Sequence, residues 1–192
     1  MAGDVILQVE WVQADDHLIA AYTVQNRAAV NIVVFDRLFL TERSGGRVVE
    51  PDRAYVSVNA EHVLRIEKIV PEAPRNMDVE APELPYVRVL RPGEALQGRA
   101  VVSVPVLTTP AYGEPASGTG SDRARTAVFR IGYAKVDDQA TAVPVRDLED
   151  VWSVPHGWAA VRQVVLTGPL IEVDLPVIRP LPQRSVFQRM RG

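Results

Sequence analysis

The segment from His17 to Leu40 constrains this chain most. Two apolar runs rich in strand-forming residues, HLIAAYTVQN and NIVVFDRLFL, are separated there by RAAV. Side chains in a strand point alternately to opposite faces, so a half-buried strand alternates apolar with polar residues. In the first run Leu18, Ala20, Tyr22 and Val24 share one face, with His17, Thr23 and Gln25 on the other. The second run is apolar on both faces, Ile32, Val34, Leu38 and Leu40 against Val33, Phe35 and Phe39. A strand covered from two sides has that pattern. The two runs, joined across Asn26–Arg27, are expected to form the central pairing of an antiparallel β-sandwich. Asp36 and Arg37 interrupt the second run together, one on each face, as a bulge or sheet corner would. Ser44-Gly45-Gly46 then reverses the chain, because glycine accepts the positive φ that tight hairpins need.

The rest of the chain carries the same alternation. Val5, Leu7, Val9 and Trp11 point inward from a first strand, which makes Trp11 a core residue. Leu96, Ala100, Val102, Val104 and Val106 oppose Gln97, Arg99 and Ser103; later strands follow around Phe129–Tyr133, at Val164–Leu166 and at Leu170–Val177. Segment 59–70 fits two periods. Val63, Ile66 and Ile69 or Val70 suit a helix capped by Asn59, whereas Leu64, Ile66 and Val70 share a face in a strand. The strand reading is preferred because strand signals flank it. Leu148, Val151 and Trp152 fall three and four apart and suggest a helical turn within 147–158. Pro71, Pro74, Pro82 and Pro85 keep that stretch out of a helix or central strand, and it is expected to carry the chain from one sheet to the other. Residues 108–125 read as a long loop rich in Pro, Gly, Ser and Thr.

These signals sum to an all-β, immunoglobulin-like antiparallel β-sandwich of about 8–10 strands. Long loops and at most one or two short helical turns complete it. Residues 1–178 form a single domain and residues 179–192 a basic C-terminal tail or arm. The strand–Asn–strand–Gly-turn opening, together with the turn Leu90-Arg91-Pro92-Gly93-Glu94, resembles those of bacterial immunoglobulin-like sandwiches. That resemblance implies fold only, since such folds host unrelated functions.

Composition excludes several functions. With no cysteine the chain has no disulfide scaffold and no thiolate zinc or redox site. A net charge of −3 supplies no general drive toward nucleic acid or anionic membrane. The Arg-rich tail (Arg179, Arg184, Arg189, Arg191, with Phe187) is the one stretch suited to stacking on bases. Against an acidic body it carries no expectation of nucleic-acid binding. No run has the length of a membrane-spanning helix, so no membrane span is expected. The chain passes from Met1 straight into an alternating strand, which reads as cytoplasmic, or as periplasmic if a signal peptide has been removed.

Chemistry is as sparse. The histidines are His17, His62 and His156, and no G-x-S-x-G elbow, H-x-H or H-E-x-x-H spacing accompanies them. Asp137, Asp138, Asp147, Glu149 and Asp150 form an acidic stretch without the alternation and glycine of a calcium loop. Gly118-x-Gly120 lacks the Lys-Ser/Thr of a phosphate cradle. No cofactor, no metal and no enzymatic activity are expected.

The chain therefore reads as a non-catalytic protein–protein interaction or assembly module. Its partner is another protein or a second copy, met through an edge strand or the C-terminal arm. The alternative is a ligand-binding module for carbohydrate or peptide that uses loops 108–125 and 151–158. Trp152, His156, Trp158 and Tyr112 are its candidate ligand-binding residues. Joint exposure of Trp152 and Trp158 would favour recognition, and burial would make them a plug at one end of the sandwich. A catalytic His156 would need an acid within hydrogen-bond reach and an open pocket.

Overall fold

A computed structural model describes residues 3–42, 45–72, 83–112, 122–136 and 142–178. In chain order the elements are β1 (Val5–Gln13), β2 (His17–Asn26), β3 (Ile32–Arg37), β4 (Phe39–Thr41), β5 (Arg47–Val49), β6 (Tyr55–Val58), β7 (Val63–Lys68), β8 (Tyr86–Leu90), β9 (Ala95–Ser103), β10 (Val106–Leu107), β11 (Asp122–Lys135), β12 (Val143–Pro144), β13 (Trp152–Ser153), α1 (His156–Arg162), β14 (Val164–Thr167) and β15 (Ile171–Ile178). The fold is all-β, two sheets facing each other across an apolar core. There are more strands than eight to ten because several runs are cut into short pieces. The run NIVVFDRLFL, for instance, is divided at Leu38 between β3 and β4.

The smaller sheet has the order β1-β2-β9, antiparallel throughout. The larger sheet is built around β11. On one side β11 pairs with β15 and then β14; on the other it pairs with β7 and then β3. β8 lies beyond β3, and β6 beyond β7. This sheet is mixed, since β7 runs parallel to β11 and β10 parallel to β15. Leu18, Ala20, Tyr22 and Val24 of β2 and Leu96, Ala100 and Val102 of β9 meet Ile32, Val34, Leu64, Ile66, Phe129 and Ile131 of the larger sheet in the main core.

The expected central pairing of β2 with β3 does not form. β2 hydrogen-bonds to β1 and β9, β3 to β11 and β8, so the two strands face each other across the core. The doubly apolar pattern of β3 explains why. Ile32 and Val34 enter the main core, whereas Val33 and Phe35 enter a second cluster with Val70, Val87, Ala134, Val154 and Ala159 on the opposite face of the larger sheet. A strand of the smaller sheet would have only one such face to fill. The crossover is fixed by fully buried Asn26, whose Nδ2 donates to Val30 O (2.9 Å) and Leu90 O (3.1 Å) and whose Oδ1 accepts from Ala28 N–H (3.0 Å). Gly93 N–H donates to Asn26 O (2.8 Å), which ties the Pro92-Gly93 turn to the same corner.

Within segment 59–70 the preferred strand forms over Val63–Lys68. Val70, beyond its end, joins the second cluster and so does not share the face of Leu64 and Ile66. Asn59 Oδ1 accepts from Val63 N–H (2.8 Å), and His62 takes a positive φ of 60° in the tight turn between β6 and β7. The β4–β5 hairpin turns at Gly45, φ 85°. The helical turn lies later than its expected place. Asp147 and Asp150 have φ of 64° and 55°, outside right-handed helix, so Leu148–Trp152 forms a turn and a short strand, and α1 starts at His156 behind Pro155. The 108–125 loop is shorter than expected, since β11 begins at Asp122. The proline stretch joins β7 to β8, both in the larger sheet, and so does not connect one sheet to the other. Residues 73–82, 113–121, 137–141 and the expected tail 179–192 lie outside the described residues.

Candidate functional site

The ladder between β1 and β2 decides which backbone groups β1 turns outward. Arg27 N–H donates to Asp4 O (2.7 Å) at one end and Ala14 N–H to His17 O (2.8 Å) at the other. Bonding positions alternate along an antiparallel strand. Even-numbered residues of β1 therefore bond to β2. Val5, Leu7, Val9, Trp11 and Gln13 aim their N–H and C=O groups at the open edge, where no strand lies among the described residues. The register with β2 is unbroken from Val5↔Asn26 to Gln13↔Leu18. β1 contains no proline, no lysine and no bulge, the devices that usually blunt an edge.

The other edge of the same sheet is met at two points. Asn26 N–H donates to Glu94 O (2.9 Å) and Val104 N–H to Asp16 O (2.8 Å), which turns the odd-numbered residues of β9 outward. There Val101 N–H donates to Asp52 O (3.0 Å), and Gln97 O accepts from Arg88 Nη2 (3.0 Å). An Arg99–Asp52 ion pair at 2.7 Å holds the same loop against the strand.

Beneath the open edge the core is incompletely sealed. Leu7, Val9 and Trp11 of β1, and Leu166, Ile171 and Val173 of β14 and β15, are half-buried on its border. Gly168, between β14 and β15, lies so close to β1 that a Cβ there would sit 2.8 Å from Val9 Cγ2. Trp11 Nε1 is buried without a hydrogen-bond partner among the described residues. Trp11 thus packs on the core, as its inward position implied, but only in part.

The candidate ligand-binding residues do not gather in one place. Trp152 on β13 pairs with Val87 of β8, and both Trp152 and Trp158 of α1 are half-buried against the second apolar cluster. His156 opens α1 and is partly exposed. Tyr112 instead lines a cleft of about 470 Å³ with Tyr55, Arg65, Glu67, Arg130 and Gln163, and neither tryptophan nor His156 belongs to that lining. Tyr112 Oη accepts from Glu83 N–H (3.3 Å), while Tyr55 Oη donates to Glu83 Oε2 (2.8 Å). Burial, then the adjacent Glu83 carboxylate, raises the Tyr55 hydroxyl well above its ordinary range.

Sequence reading missed a buried polar cluster between the sheets. Asp36 and Lys68 have no exposed surface. The Asp36 carboxylate accepts from Arg88 Nε (3.0 Å) and Nη2, from Tyr22 Oη (3.3 Å) and from Arg37 Nη1 (3.5 Å). Lys68 Nζ donates to Asp36 O (3.2 Å) and to Pro51 O. Loss of water lowers the Lys68 ammonium from 10.5 to about 8, despite the opposing pull of Asp36. Burial, with Asp36 next, raises the Tyr22 hydroxyl. Because Tyr22 is on β2 and Arg88 also holds Gln97 O on β9, the cluster bolts β2 and β9 to the larger sheet. It does not reach β1. One signal was available: Lys68 shares the strand parity of buried Leu64 and Ile66, an inward ammonium that needs a partner.

Among the described residues no group of three or more histidines or carboxylates is placed to hold a metal ion. No described helix is long and apolar enough to cross a membrane. No protein-family model, no curated protein and no solved structure matches this chain.

Proposed function

We propose that this protein is a non-catalytic association module that joins a protein partner by strand addition along β1. The observation that carries the reading is the contrast within one sheet. Two outward groups of β9, Val101 N–H and Gln97 O, are met by Asp52 and Arg88. Among the described residues no strand meets those of β1, which lie above a half-sealed apolar seam. An added strand satisfies such an edge through main-chain hydrogen bonds, and its alternate side chains cover the seam.

A photo-crosslinking residue at Gln8, exposed on the outer face of β1, tests this in cells. Discrete adducts of defined added mass are expected from position 8 and not from exposed Leu148. Equal labelling at both positions, or none, refutes the reading.

A second reading, ligand binding, draws on the Tyr112 cleft, whose lining joins two tyrosines to the Arg130–Glu67 ion pair. Chemical-shift changes confined to that lining on titration with oligosaccharides or peptides would support it. Silence across the lining would remove it.

A further inference from the structure

Resting on that reading, we infer that the partner strand is β1 of a second copy, paired antiparallel about a two-fold axis through Val9. This register uses all nine residues of the strand. It sets Val9 against Val9, Leu7 against Trp11 and Val5 against Gln13. These are the residues whose backbone groups already face outward, so every facing pair exchanges both hydrogen bonds.

The side chains agree with this register. On the outer face Ile6 meets Val12, which is 53% exposed in the single chain, and Glu10 meets Gln8, an acceptor facing an amide donor. On the inner face Leu7 meets Trp11, so the half-buried border of one core continues into that of its twin. No like charges stand opposite. A shift of the axis by one residue to Glu10 would oppose Glu10 to Glu10, which is destabilising. A shift to Gln8 would place Ile6 against Glu10 and leave Val12 against Asp4, a loss on both faces. An axis on any residue of β1 keeps the inward faces of both copies on the same side, so the two three-stranded sheets become one six-stranded layer with β9 at each end.

The full chain, studied by sedimentation velocity from about 1 to about 100 μM, should pass from monomer to dimer, the range expected of an interface of modest size. Val9→Pro removes an outward N–H without touching the β1–β2 ladder and should abolish the dimer. Should Val9→Pro fail to fold, two charge variants decide. Ile6→Glu with Val12→Glu opposes like charges and should weaken the dimer at least about tenfold, whereas Ile6→Lys with Val12→Glu opposes unlike charges and should keep it. Since the chain has no cysteine, a Gln8→Cys preparation mixed with a Glu10→Cys preparation should oxidise to a mixed disulfide dimer, and neither should do so alone. A dimer indifferent to the charge variants overturns this register. A monomer across the range overturns self-pairing. If Gln8 adducts of another mass persist, association along β1 stands with a different partner; if no adducts form, both readings fall. A monomer whose Val5, Leu7 and Val9 amides resist hydrogen exchange would mean that the chain covers its own edge, and overturns self-pairing too.

Discussion

Lys68 gives the protein an unusual dependence of stability on pH. Its ammonium is fully buried and titrates near 8, whereas in the unfolded chain it titrates near 10.5. Between those values the unfolded chain binds more protons than the folded one, so stability rises with pH. Tyr22 and Tyr55 act oppositely, because burial raises their hydroxyls. Unfolded tyrosines ionise from about pH 10 and favour unfolding there. The clean window therefore runs from about 8 to 9.5, and no thiol titrates within it. The limiting slope is about 1.4 kcal/mol per pH unit, and Lys68 is half-titrated at the lower bound, so the gain is about 1.5 kcal/mol. Urea unfolding followed by tryptophan fluorescence at several pH values reads it directly. Lys68→Met leaves Asp36 O and Pro51 O without their donor, at about 1–3 kcal/mol each, so its absolute stability is not the measure. Its slope is: the variant should be flat across the window. Parallel slopes in the two proteins, or a wild type that loses stability between pH 8 and 9.5, would refute the assignment of a charged, desolvated lysine to this position.

Asp36→Asn removes the carboxylate that Arg88, Arg37 and Tyr22 share and should destabilise by about 3–5 kcal/mol in urea unfolding, the usual effect of orphaning a buried partner. Gly98→Ala would set a Cβ 2.5 Å from Tyr22 Cζ. Tyr22 cannot yield easily, being stacked on Phe129 at 4.8 Å and bonded to Asp36, so a loss of about 1–3 kcal/mol is expected in thermal or urea unfolding. Gln163→Ala breaks a paired clasp in which Gln163 Oε1 accepts from Val70 N–H (2.6 Å) and Nε2 donates to Val70 O (3.1 Å). The loss should be about 1–3 kcal/mol, with faster hydrogen exchange across His156–Arg162 than in β2.

Alternation made the faces legible and left the neighbours hidden. It marked Leu18, Ala20, Tyr22 and Val24 as inward and Ile32–Phe35 as covered twice, and each of those residues is buried. Phe39 and Leu40, expected to continue the doubly covered run, instead lie on β4 half-buried and exposed. The interruption at Asp36-Arg37 coincides with a register shift against β8 between Val34 and Arg37, as a bulge would give. Period alone, however, cannot say which strand lies alongside which, so β2 and β3 were paired when they oppose. Arg88 stands 52 positions from the Asp36 it binds, and no local pattern spans that distance. The seven residues of α1 complete too few turns for a helical period to show. Its anchor, the Gln163–Val70 clasp, spans 93 positions. Of the candidate site, the expectation of an edge strand came from fold class; that the edge is β1 needed the hydrogen-bond parity at Asp4 and Ala14.

The polar cluster and the bare edge are two sides of one asymmetry. A three-stranded sheet laid on a larger one must be held against sliding, and apolar contacts are weakly directional. Tyr22 and Arg88 supply direction, one from β2 into the Asp36 carboxylate and the other from β8 to Gln97 O on β9. Asp52 closes the same side through Val101 and Arg99. With two of three strands fixed by the cluster, β1 is held by its ladder to β2 and by apolar packing of Val5, Leu7, Val9 and Trp11 on the core. It is also held at its head by the Lys135–Asp4 ion pair (2.5 Å). Its inner residues Leu7, Val9 and Trp11 are apolar and half-buried, and among the described residues no strand meets its outer backbone groups. Weakening the cluster should then disturb association indirectly, by letting the small sheet shift on the large one. Blocking β1 should abolish association and leave the pH profile of Lys68 untouched.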